Sequence, residues 1–231
     1  MESLKGLTDF AKDFEIPCVG GKVSLYNETS NGPIKPTPVI GVIGLIDKKP
    51  LKIQKINSGD SLIMVGDTKD ELGGSEYSEY IHKFIGGKCP AVDFSESKKN
   101  MNSVLDAIEN ELIKSAHDCS KGGLSIAISE LCMINQIGCN ISLEKIPGEK
   151  LDSDKILFSE SHSRYLLTIE NKNLSKLEET MKKHNVSCSL IGEFTGDSIC
   201  FTGDSKPIID LSVDKAQKTW FNSLKDMVLH A

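Results

Sequence analysis

The sequence predicts an α/β (α+β) fold, and three observations carry that expectation. Apolar residues recur at helical spacing in several stretches beyond residue 70, with short β-branched runs between them. The two kinds of stretch alternate along the chain, the order expected of a sheet covered by helices. Of 231 residues, 39% are apolar and 26% charged, which suits one large domain or two modest ones with a real core.

Taken in order, Leu4, Leu7, Phe10, Ala11 and Phe14 form a helical stripe, so residues 2–15 are expected as a helix that stops before Pro17. Cys18–Tyr26 reads as extended, with the Gly20–Gly21 pair inside it. Asn27–Pro38 (NETSNGPIKPTP) is a loop by its turn formers. Val39–Ile46 has the length and β-branching of a buried strand, Lys48–Pro50 turns the chain, and Ser58-Gly59-Asp60 turns it again. Strands are then expected near 61–65, 139–143, 165–170, 187–194, 198–202 and 207–211. Helices are expected near 76–85, 100–115, 123–135, 173–184 and 213–228. Composition shifts near 48–60, the best domain boundary. A first part of roughly 50 residues is too short for a comfortable domain and reads as the tail of something longer.

Charge and composition exclude several classes. There are 27 basic against 33 acidic residues, a net charge of −6, and no basic run, so a phosphate-tracking nucleic-acid binder is set aside. The longest apolar run, Val39–Ile46, contains two glycines and falls far short of the ~20 residues of a spanning helix. The N-terminus, MESLKGLTDFAKDFE, carries acids and no apolar core, so it is not expected to act as a secretory signal. The 7 cysteines are scattered without a C-x-x-C pair, as expected of reduced, mostly buried thiols in a cytosolic protein. Nearly every basic residue is lysine; Arg164 is the lone arginine, and only guanidinium offers a flat bidentate fork.

Four segments carry candidate chemistry. In Gly20-Gly21-Lys22-Val23-Ser24 the glycines let backbone approach a phosphate, beside an ammonium and a hydroxyl; the same residues also suit a strand with a glycine bulge. Glu71-Leu72-Gly73-Gly74-Ser75-Glu76 opens a helix: either its free amides receive an anion, or Ser75 simply caps an ordinary glycine loop. His117-Asp118-Cys119-Ser120-Lys121-Gly122-Gly123 reads as a turn between two helices, with Asp118 and Ser120 able to cap the second. In Ser159-Glu160-Ser161-His162-Ser163-Arg164, Glu160 and Arg164 form either a surface ion pair or a clamp on an anionic ligand. The residues by themselves go no further than glycine and serine loops suited to anions.

The run GGKVSLYNETSNGPIKPTPVIGVIGLID, followed by GDSLIMVG, ELGGSEY, AHDCSKGGLSIAISE and LFSESHSRYLLTI, resembles the synthetase subunit of phosphoribosylformylglycinamidine synthase, over about residues 15–200. The resemblance implies a PurM-like architecture built from two related halves. Each half has an N-terminal domain whose sheet pairs into a β-barrel and a C-terminal α/β domain. Residues 1–55 then correspond to the tail of a PurM-like N-terminal barrel-half domain, and 56–231 to the PurM-like C-terminal α/β domain of the second half. The family converts formylglycinamide ribonucleotide to the amidine. ATP phosphorylates the formyl-amide oxygen, and ammonia displaces phosphate from the iminophosphate.

Residue by residue the resemblance implies that Gly21 contacts ATP and Ser24 the ribonucleotide. Lys22 stands where the family has a magnesium-binding asparagine. An ammonium cannot coordinate a cation, so Lys22 either touches phosphate directly or weakens the site. Lys121 likewise stands where the family has an acid. Gly73, Gly74, Ser75, Asp118, Gly122, Gly123, Glu160, Ser161 and Arg164 would line an auxiliary anion or nucleotide pocket. The family's catalytic histidines, main magnesium carboxylates and an ATP-contacting aspartate match no position here. The implied cofactors are ATP and Mg2+, with most ligands outside this chain. The implied partners are the preceding part of the synthetase, a glutaminase subunit, a small accessory subunit and the ribonucleotide substrate, in the cytoplasm. A fragment inactive alone, pairing through an exposed half-barrel, is expected. A non-catalytic nucleotide-binding scaffold is the alternative. A sister enzyme, such as aminoimidazole ribonucleotide synthetase, is disfavoured by S-L-Y-N-E-T.

Overall fold

The computed structural model describes residues 2–24, 28–34, 37–46 and 55–229, except for the side chains of 224–227 and 229. The chain divides into two compact units, 1–50 and 51–231.

In the first unit, helix α1 (Glu2–Asp13) realises the apolar stripe, and Phe10 and Phe14 stack at 4.5 Å. Gly20–Ser24 carries no secondary structure and is exposed. Within the expected loop, β1 (Glu28–Thr29) and β2 (Gly32–Pro33) form a minimal antiparallel pair. The strand expected at Val39–Ile46 does not form. Those residues carry no secondary structure, and Val39, Ile43 and Leu45 are 93%, 98% and 98% exposed. A strand exists only by pairing, and among the described residues nothing pairs with this one. Leu25–Asn27 and the turn at Lys48–Pro50 lie outside the described residues.

The second unit is built on a seven-stranded sheet. Its strands are β3 (Ser61–Val65), β4 (Ser115–Asp118), β5 (Cys139–Ser142), β6 (Tyr165–Ile169), β7 (Cys188–Phe194), β8 (Ser198–Gly203) and β9 (Lys206–Ser212). Their order is β4-β6-β3-β7-β5-β8-β9; β5 and β8 are parallel and every other pair is antiparallel. β3 is buried along its whole length, which is why it reads as a continuous apolar run rather than an alternating one. Leu62 and Met64 point into one core, Ile63 and Val65 into the other. The first core is closed by α4 (Gly123–Asn135), α5 (Ser153–Phe158) and α7 (Val213–Leu229), the second by α3 (Phe94–Glu109) and α6 (Leu174–His184). Helices therefore cover both faces of the central strand.

Several boundaries differ from the sequence reading. α2 (Glu76–Tyr80) stops well short of residue 85. α3 starts at Phe94, where the Asp93 carboxylate accepts from Glu96 N at 3.0 Å, and ends at Glu109. Residues 115–118 belong to β4, so the segment from His117 is a strand-to-helix turn rather than a helix–helix turn. Across the sheet from the loops, Lys114 and Asp60 form a buried ion pair at 2.6 Å, and the same Asp60 oxygen accepts from Asn57 N at 2.6 Å.

Candidate functional site

The glycine and serine loops of the second unit converge at the start of α4. α2 and α5 hold one side of this region: Tyr77 stacks on Phe158 with ring centroids 4.6 Å apart and planes 7° from parallel. Gly123 brings α4 against the chain after α5. Its φ is +70°, and a Cβ there would lie 2.6 Å from Ser159 O, so only glycine fits without a shift.

Glu160 occupies the centre. Its Oε1 accepts from Glu76 N at 2.9 Å and from Gly122 N at 2.8 Å. The amides expected to receive an external anion thus receive an internal carboxylate, and they tie the starts of α2 and α4 to the 159–164 loop. Gly122 caps α4 without a side-chain bond, so neither Asp118 nor Ser120 caps it. Ser75 does cap α2, accepting from Ser78 N at 3.2 Å. Gly74 N donates to Gly86 O at 2.8 Å, and a Cβ on Gly73 would meet Lys88 O, so this glycine pair serves loop packing.

Arg164 does not pair with Glu160. It is 1% exposed and donates from Nε to Ser161 O (2.9 Å), from one terminal nitrogen to Thr68 Oγ1 (3.1 Å) and from the other to Ser159 O (2.5 Å). Burial lowers its pKa, while the nearby Cys119, Glu71 and Glu160 act in the opposite direction. Ser161 turns away from the recess and accepts from Lys69 N at 3.1 Å. The recess itself, about 330 Å³, is lined by Asp118, Ser120, Lys121, Glu160, His162 and Arg164, among others. Lys121 is held by Glu76 at 3.0 Å, a contact that raises its pKa. Burial pushes the Cys119 thiol up to about 11, so it stays protonated at neutral pH. The recess combines one buried guanidinium, one exposed ammonium and two carboxylates.

Of the predicted pocket residues, the structure brings Asp118, Glu160 and Arg164 into one recess and places Gly122 on Glu160. It leaves Gly73, Gly74 and Ser75 in the loop that opens α2. Gly21, Lys22 and Ser24 lie in the first unit in an exposed run without secondary structure, and a Cβ on Gly21 would meet nothing within 4 Å. By themselves they enclose no ligand. Among the described residues no cluster of three His, Cys, Asp or Glu side chains is placed to hold a metal, and no helix is long and apolar enough to cross a membrane. Of the residues that hold Arg164, Ser159 and Ser161 belong to the segment the sequence singles out, whereas Thr68 does not, and nothing in the sequence places it beside the arginine.

Comparison with known proteins supports one family. A family model described as "AIR synthase related protein, C-terminal domain" matches residues 57–202, well over half of the chain. This chain belongs to that family. Beyond the domain, it is 37% identical over 235 residues to the phosphoribosylformylglycinamidine synthase subunit PurL of Methanocaldococcus jannaschii, covering 98% of this chain and 32% of that protein. PurL of Thermococcus sibiricus is 37% identical over 233 residues, covering 99% and 31%. PurL of Alkaliphilus metalliredigens is 33% identical over 226 residues, covering 97% and 30%. The AIR synthase-related chain therefore spans about a third of the length of these relatives. Among solved structures, Thermotoga maritima PurL complexed with FGAR superposes with a TM-score of 0.66 at 19% identity, over 72% of this chain and 29% of that one. The same enzyme complexed with ATP gives 0.60, with 72% and 27% covered. Escherichia coli HypE, a hydrogenase maturation protein, gives 0.51 at 16% identity, with 72% and 52% covered. At these identities the likeness shows a shared fold: the helix-covered sheet belongs to the AIR synthase-related architecture.

Proposed function

We propose that this chain supplies the C-terminal part of the second half of a phosphoribosylformylglycinamidine synthase, an ATP-dependent carbon–nitrogen ligase of purine biosynthesis, and that it is inactive alone. The observation that carries the reading is collinear similarity to PurL along 97–99% of the chain, at 33–37% identity. In this reading residues 1–55 are the end of a barrel-half domain and 56–231 the C-terminal domain. Gly21 and Lys22 contact ATP, and Ser24 contacts formylglycinamide ribonucleotide. The exposure of these residues is what a single wall of a cleft would show, with the other wall on further polypeptide. Magnesium ligands, the rest of the synthetase, a glutaminase and a small accessory subunit complete the assembly in the cytoplasm. Lys22 replaces part of the metal's charge by meeting phosphate directly.

The test is reconstitution. The 231-residue chain is assayed alone, and again with a polypeptide equivalent to the other two-thirds of a PurL relative, for ATP- and ammonia-dependent amidine formation. Turnover only in the mixture supports the reading. Full turnover by the chain alone, or none in a mixture that forms a stable complex, overturns it.

A second reading is a nucleotide-binding scaffold without catalysis. It is favoured by Lys22 and by the Lys121–Glu76 pair, which puts a lysine beside the Glu160 recess. Calorimetry with ADP separates the two. Magnesium-independent binding to the recess by the chain alone favours the scaffold; binding that needs magnesium and the reconstituted enzyme favours the ligase. Under the scaffold reading, Glu160 must vacate the Gly122 amide before phosphate can take it.

A further inference from the structure

Asn31 and Gly32 form the only Asn-Gly pair in the sequence. Asn31 closes the turn at residues 30–31 between β1 and β2, and Gly32 opens β2. Asn31 is exposed, and its carboxamide has no hydrogen-bond partner among the described residues. Asn100, Asn135, Asn171 and Asn173 instead donate their amides to backbone carbonyls. A free carboxamide is one ring closure away from the next backbone nitrogen: joining Gly32 N to Asn31 Cγ makes a five-membered ring. A side chain on the following residue obstructs that closure. Glycine has none, and a Cβ on Gly32 would meet nothing within 4 Å, so the surroundings are open as well. The ladder that holds the turn is two residues long on each side, too short to be stable by itself, so the turn samples open conformations.

We propose that Asn31 is a self-modification site, at which the chain deamidates to aspartate and isoaspartate with water as the co-reactant. Gly32 N gives its proton to a solvent base and attacks Asn31 Cγ. The N–Cγ bond forms, the Cγ–Nδ2 bond breaks, and the amide nitrogen takes up a proton and leaves as ammonia. Water then opens the succinimide. Opening at Cγ gives aspartate; opening at the backbone carbonyl carbon of Asn31 gives isoaspartate, with the main chain now running through the side chain. Each event consumes one water and releases one ammonia, and nothing is oxidised or reduced. Either product adds a negative charge to a chain whose net charge is already −6. Isoaspartate also inserts a methylene into the backbone of the turn, which disrupts the pairing of Thr29 with Gly32. The inference rests on this turn alone and does not depend on the ligase reading.

The full chain is incubated folded, in mildly alkaline and in mildly acidic buffer, and its peptides are mapped by mass spectrometry. Electron-transfer fragmentation separates aspartate from isoaspartate, and released ammonia is counted against both. The expected result is that acid forms accumulate at Asn31 ahead of every other asparagine, isoaspartate among them. Conversion is faster in the alkaline buffer, because the attacking nitrogen must lose its proton. Asn57, exposed but followed by a serine, is the internal comparator. Gly32→Ala slows conversion by an order of magnitude or more, since a Cβ then shields the nitrogen. Asn31→Gln, which places no new demand on the backbone at Gly32, abolishes it at this position and leaves the rate at Asn57 unchanged. Conversion at Asn57 that equals or precedes that at Asn31, conversion at Asn31 only after urea unfolds the chain, or an unaltered rate in Gly32→Ala overturns the proposal.

Discussion

A single guanidinium holds the loop that presents Glu160. Arg164 reaches Ser159 O, Ser161 O and Thr68 Oγ1 from a fully buried position, and three acceptors in different directions require the planar fork. A lysine at 164 offers a compact ammonium on a flexible stem, and at least one buried acceptor loses its donor. Each such loss costs about 1–3 kcal/mol, so Arg164→Lys is expected to lower unfolding free energy by about 2–4 kcal/mol in urea denaturation. A change below about 0.5 kcal/mol, the scale of ordinary surface substitutions, would show that the fork is not needed. Thiol chemistry gives a second check at this scale. Cys18 and Cys89 are exposed, whereas Cys119, Cys132 and Cys139 are buried. The Cys139 thiol is pushed up by its hydrogen bond with Cys132 and then by burial, and Cys119 by burial. Alkylation by iodoacetamide at pH 8, read by mass spectrometry, should therefore mark Cys18 and Cys89 in the native protein. The three buried thiols should react only after denaturant is added.

At the scale of elements, the close approach of α4 to the 159–164 loop depends on Gly123. A Cβ there would also meet Leu157 O at 2.9 Å, and its φ of +70° is one that L side chains rarely adopt. Gly123→Ala is expected to cost upwards of about 2 kcal/mol and to loosen the hydrogen bond from Gly122 N to Glu160, which amide hydrogen exchange at Gly122 would report. Unchanged protection there would mean that the loop repacks freely. Much at this scale was legible in advance. β3 announced itself because burial on both faces makes an uninterrupted apolar run, and α4 by its apolar content behind the glycine pair that marks its start. β4 was not legible, because SAHD at a sheet edge runs two small residues into two polar ones and offers no apolar period. The start of α3 is legible in Asp93 and Glu96, the short-range signal of a helix N-terminus ahead of the apolar period that marks the helix body. At the candidate site, the sequence shows glycines and serines in loops. It does not show that the loops meet or that a carboxylate already fills the amides, because both are set by tertiary packing.

For the whole molecule, the decisive feature is apolar surface that nothing among the described residues covers. Val39, Ile43 and Leu45 are almost fully exposed in a run without secondary structure whose composition suits a strand, and the chain spans about a third of its PurL relatives. The strand reading of Val39–Ile46 failed for a reason of scale: composition sets the propensity, but the ladder partner has to come from elsewhere. Extended apolar backbone with open N–H and C=O groups recruits another chain. The isolated protein is accordingly expected to self-associate through this run. Sedimentation velocity should show a concentration-dependent dimer or larger species, and Ile43→Lys, which adds a charge to the run without touching the second unit's core, should shift the distribution towards monomer. Adding the remaining two-thirds of a PurL relative should compete with self-association, since both would occupy the same unpaired backbone. A wild-type chain that stays monomeric at high concentration would sink this expectation, and an Ile43→Lys protein that associates as strongly as the parent would place the contact elsewhere.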